Sequence, residues 1–89
     1  MSDLNAKPTL APGYRFQWEP VQERHVLLYP EGMVQLNETA AAILTFCDGT
    51  RSILGVITDL ENEYKAEGLR EDVVGFLREA VDRGWVRYG

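Results

Sequence analysis

The spacing of apolar residues changes once along this chain, and the change divides it into two kinds of structure. From Tyr14 to Trp18 aromatic and polar residues alternate, which places Tyr14, Phe16 and Trp18 on one face of a strand and Arg15 and Gln17 on the other. Glu19-Pro20 ends that run. His25–Tyr29 is a second short stretch of β-forming residues. In Tyr29-Pro30-Glu31-Gly32 the proline and glycine fall where a type I turn favours them, so Met33–Leu36 reads as the returning, third strand. Beyond Leu36 the period lengthens to about 3.6. Asn37 is placed to cap a helix whose stripe is Ala40, Ile43, Leu44 and Cys47, and Asp48-Gly49 stops it. Ser52 caps the next, with Ile53, Val56, Ile57, Leu60 and Tyr64 on one face. Glu67-Gly68 separates it from a third helix, whose inner side is Leu69, Val73, Phe76, Leu77, Ala80 and Val81 and which Gly84 terminates. The predicted fold is α+β and winged-helix-like: three short antiparallel strands followed by three helices, βββααα. Trp85-Val86 is expected to fold back over the core.

Residues 1–12 carry Pro8 and Pro12 and no periodicity, and are expected to be a mobile tail ahead of one domain spanning 13–89. Eighty-nine residues with 45% hydrophobic and 26% charged side chains suit a single globular unit with little room for a deep cleft. No apolar run has signal-peptide or membrane-span length, so a cytoplasmic protein without a membrane partner is expected.

Charge and reactive groups narrow the function further. Fourteen acids against nine bases give a net charge of -5, which disfavours nucleic acid, whose binding needs clustered Lys and Arg. The alternative of a winged-helix DNA-binding regulator meets the same objection, because Arg70 to Arg83 holds three arginines against Glu71, Asp72, Glu79 and Asp82. Cys47 lies on an apolar helical stripe beside a carboxylate, which suits a packed thiol rather than a thiolate nucleophile. His25 has no carboxylate at a spacing that would orient it and reads as a surface histidine. Tyr14, Phe16 and Trp18 lack the basic neighbours of a base-stacking platform and read as core. Neither enzyme nor bound cofactor is expected.

What remains is backbone chemistry. A three-stranded sheet leaves strand margins whose N–H and C=O groups are unpaired. If Met33, Val34, Gln35 and Leu36 form such a margin and the third helix lies beside it, a groove results with apolar residues such as Val73, Phe76 and Ala80 on its far wall. An extended peptide can add there as a further strand. Equally, the margin can be covered by the tail or by a second copy of the chain.

The segments Leu36-Asn-Glu-Thr-Ala-Ala-Ala-Ile-Leu44, Cys47-Asp-Gly-Thr-Arg-Ser-Ile53, Asp72-Val-Val-Gly-Phe-Leu77 and Gly84-Trp85 together resemble the PqqD family of pyrroloquinoline quinone (PQQ) biosynthesis, over roughly Tyr14 to Trp85. The resemblance implies a non-catalytic peptide chaperone. It would bind the precursor peptide PqqA by strand addition and present it to the radical S-adenosylmethionine enzyme PqqE, which joins a glutamate and a tyrosine of the peptide and carries the iron–sulfur clusters itself. Carried over by position, the peptide site comprises Met33, Val34, Gln35, Leu36, Val73, Phe76, Leu77 and Ala80, and the chain is expected to be a monomer, with exchange of the first strand into a swapped dimer as the other possibility. Gly55 departs from the acidic residue common there in the family, and a helix-interior glycine costs up to ~1 kcal/mol relative to alanine.

Overall fold

A computed structural model describes residues 4–89 of the chain. Its elements in order are β1 (Pro8–Leu10), β2 (Arg15–Glu19), β3 (Arg24–Tyr29), β4 (Gly32–Gln35), α1 (Glu38–Thr45), α2 (Ile53–Tyr64), α3 (Arg70–Asp82) and β5 (Val86–Tyr88). The expected strand-then-helix order is present as β2β3β4 followed by α1α2α3. Two further strands complete an α+β fold with two antiparallel sheets, β2-β3-β4 and β1-β5.

The caps lie where the sequence places them. The Asn37 side chain accepts from the Ala40 N–H at 2.8 Å, and Ser52 Oγ accepts from the Gly55 N–H at 3.0 Å. The glycine at 55 therefore still receives the cap. At the far end of α3, Gly84 takes φ +82 while the Gly84 and Trp85 N–H groups donate to Val81 and Ala80. This is a Schellman closure, which an L side chain at position 84 would strain, and it turns Trp85 back along the helix.

One core lies between the larger sheet and the helices. Leu27 contributes from β3, Ile43 and Leu44 from α1, Val56, Ile57 and Leu60 from α2, Val73, Leu77 and Ala80 from α3, and Val86 from β5. The whole predicted stripe of α1, Cys47 included, is buried. Burial pushes the Cys47 thiol up to about 12, with the Asp48 charge as a smaller contribution in the same direction, so it stays protonated and packed. Tyr64 differs from its expected place, being 60% exposed at the end of α2. Trp18 differs too. Tyr14 and Phe16 pack against the core, but Trp18 is 52% exposed, because it lines an open cavity beside α1 and the end of α2 rather than packing beneath them. His25 is half-buried, with its ring stacked on Phe16 at 4.9 Å and edge-on to Trp18 at 5.2 Å.

The reading of residues 1–12 as a mobile tail is corrected by the structure. Residues 1–3 lie outside the described residues, but from residue 4 the backbone is tied down. The carbonyls of Leu4 and Ala6 accept from Leu54 and Ile53 at the start of α2, that of Pro8 from Gly49, and Pro8–Leu10 pairs with Val86–Tyr88. The domain thus begins inside the segment assigned to the tail. Periodicity misses this because the attachment is made by main-chain groups, and a proline is tolerated at the end of a two-stranded ribbon. Removing residues 1–7 deletes the Leu4, Ala6 and Lys7 acceptors and should cost ~1–3 kcal/mol, read as a lower urea midpoint. An unchanged midpoint would show that this attachment contributes nothing.

Candidate functional site: the open flank of β4

Strand β4 is paired with β3 on one side only. The Leu36 N–H donates to the His25 carbonyl at 3.1 Å, which fixes the phase of the ladder. Because hydrogen-bonded and non-bonded pairs alternate in an antiparallel ribbon, Gly32, Val34 and Leu36 address β3 while Met33 and Gln35 turn their N–H and C=O groups outward. No described residue pairs with that outward row. The segment best able to cover it, residues 4–12, is used by β5 and α2 instead.

Beside this row lies α3, and between them runs a groove of about 690 Å³. Its near wall is Val34, Gln35, Leu36 and Asn37; its far wall is Asp72, Gly75, Phe76, Glu79 and Arg83, closed at one end by Trp85. Those α3 positions are spaced three or four residues apart, so they form one helical stripe. From Asp72 to Arg83 the stripe spans roughly 16 Å, the length of about five extended residues. Gly75 gives the wall its depth, since a Cβ built there meets nothing within 4 Å. The arginine end is organised: Arg83 pairs with Glu79 at 3.1 Å and lies over the Trp85 ring at 5.4 Å. At the other end Asp72 has no basic partner among the described residues, so the groove is electrically uneven along its length.

The residues predicted for a peptide site separate into three groups. Val34, Gln35, Leu36 and Phe76 line the groove. Met33 lies on the same strand with its side chain on the opposite face of the sheet, paired across from Leu28, and can join the site only through its outward backbone groups. Val73, Leu77 and Ala80 are 1%, 0% and 0% exposed and belong to the core, so the stripe of α3 that lines the groove is the neighbouring one. The wall residues Gly75, Glu79, Arg83 and Trp85 are absent from the prediction. Gly75 does carry a sequence signal, for an uncapped glycine inside an otherwise strong helix often marks close approach of another backbone.

A second cavity, of about 520 Å³, opens between α1, the end of α2 and the start of α3. Ala42, Leu60, Leu69 and Val73 line its interior, Trp18 and Tyr64 stand exposed in its walls, and Glu38 and Asp72 are at its rim. Thr39 and Asp72 line both cavities, so the two adjoin.

An unpaired strand beside a helical wall leaves main-chain donors and acceptors uncovered, and the comparisons with known proteins give the chain its family. Residues 24–86 match the family model described as coenzyme PQQ synthesis protein D (PqqD). The chain is 55% identical over 84 residues to the PqqA binding protein of Stutzerimonas stutzeri, covering 93% of this chain and 91% of that one. It is 52% identical over 84 residues to the PqqA binding protein of Azotobacter vinelandii, with the same coverage. Its fold superposes with a TM-score of 0.79, at 26% identity and over 98% of this chain and 94% of the other, on the solution structure of the PqqD truncation of Methylobacterium extorquens PqqCD. That protein is described as a functional, stand-alone recognition element for ribosomally synthesised and post-translationally modified peptides. With the family model matched across most of its length and relatives above half identity, this chain belongs to the PqqD family.

Proposed function

We propose that this protein is a non-catalytic chaperone of PQQ biosynthesis that binds the PqqA precursor peptide as an added strand on β4 and presents it to PqqE. The single observation that carries the reading is the outward main-chain row of Met33 and Gln35 facing the α3 stripe across an uncovered groove. The relatives named as PqqA binding proteins support the identity of the peptide. Main-chain pairing supplies affinity without demanding a sequence, while Phe76, Trp85 and the space above Gly75 select alternate side chains. Holding the reacting segment beside a synthase raises its effective concentration, so the chain accelerates chemistry that it does not perform. We place this encounter in the cytoplasm with the chaperone as a monomer. The net charge of -5 favours basic partners, and association should weaken as salt rises.

Titration of isotope-labelled protein with synthetic PqqA tests the site. The largest amide shifts are expected at residues 33–37 and 75–85. Shifts confined to Ser52–Tyr64 would move the site elsewhere and remove the strand-addition reading. A second titration, of the binary complex with PqqE, should perturb residues outside the groove; no response to the enzyme would remove the presentation step.

A further inference from the structure

The second cavity has the features of an anchor pocket for the same peptide. Two large aromatic side chains, Trp18 and Tyr64, stand 52% and 60% exposed in its walls above an apolar interior. Exposed aromatics gathered at a concave apolar surface mark an interaction site more often than scattered surface hydrophobics do. Two carboxylates, Glu38 and Asp72, sit at the rim, and neither has a basic partner among the described residues. Both lie in first turns of helices, where a negative charge is favoured locally.

Position decides the occupant. The outward row of β4 runs toward the start of α1, and there Thr39 and Asp72 form a wall common to the groove and the pocket. A peptide paired with β4 therefore leaves the strand at the pocket's edge. We propose that the peptide continues past β4 and inserts one large apolar side chain between Trp18 and Tyr64, with a flanking lysine or arginine against Glu38 and Asp72. This rests on the strand-addition reading and extends it: the chain reads a bipartite ligand, a short extended segment plus an apolar anchor beside a basic residue. The unpaired Asp72 at the pocket end, against the neutral Glu79–Arg83 pair at the other, then places the basic residue of the peptide at the pocket end.

The two tryptophans make the test direct, because Trp85 closes the groove and Trp18 lines the pocket. The full chain is labelled with 5-fluorotryptophan, the two fluorine resonances are assigned with Trp18→Phe, and synthetic full-length PqqA is titrated. Both resonances should move with the same midpoint. A peptide whose basic residues are replaced by glutamine should still move Trp85 but lose most of the Trp18 response. The double change Glu38→Gln and Asp72→Asn should weaken the native peptide by roughly threefold to tenfold at low salt and flatten its salt dependence. Movement of Trp85 alone overturns the anchor and leaves strand addition standing. If neither resonance moves, both readings fall. A Trp18 response seen only when a partner protein is added would make the pocket a separate docking site and overturn the inference as stated.

Discussion

Gln35→Pro is expected to lower peptide affinity by about a hundredfold or more while leaving the fold intact. The Gln35 N–H points out of the sheet and is not used by β3, so proline there removes no native ladder bond. In the complex the same change deletes one main-chain hydrogen bond, worth ~0.5–1.5 kcal/mol net, and places a ring where the incoming strand must lie. The steric term makes the larger contribution, since it also prevents the neighbouring pair from closing. Gln35→Ala is the control. It keeps the N–H and loses only the exposed side-chain contacts to Arg24 and Gln22, and its affinity should fall by less than about fivefold. Calorimetric titration of both variants, with thermal melts alongside, separates the two contributions. Equal loss in the two variants would show that the peptide reads the glutamine side chain, and pairing with β4 would no longer be supported.

Two adjacent residues on α3 should give opposite results. Leu77 is fully buried, and Leu77→Ala should destabilise the protein by ~2–5 kcal/mol through lost transfer energy and the cavity left behind. For a domain of this size that lowers Tm by at least about 8 °C. Phe76 is half-buried on the groove wall, so Phe76→Ala should weaken peptide binding by about tenfold or more while lowering Tm less than Leu77→Ala does. A melt of Phe76→Ala as low as that of Leu77→Ala would place the ring in the core and shift the groove wall away from α3.

The buried Leu77 and the groove-lining Phe76 mark where reading by periodicity stops. In α3 the core stripe of Val73, Leu77 and Ala80 and the groove stripe of Asp72, Phe76, Glu79 and Arg83 are offset by one residue. Both are compatible with a period of about 3.6, and Phe76 is as apolar as its neighbours, so the pattern admits it to either face. In β4 the difficulty is different. Alternation places Met33 and Val34 on opposite faces correctly, but the groups proposed to bind are N–H and C=O, which every residue carries and no sequence displays.

The order of the paired strands, the three helices, their caps at Asn37 and Ser52 and the buried stripe of α1 were determined by the sequence, because each is a local choice made by side chains within one or two turns of one another. Tertiary structure alone decided that residues 4–12 pair with β5 and α2 rather than with β4, and hence that the flank facing α3 stays open. Which of several edges a strand joins depends on main-chain groups distant in sequence, and only their arrangement in space distinguishes one unpaired row from another.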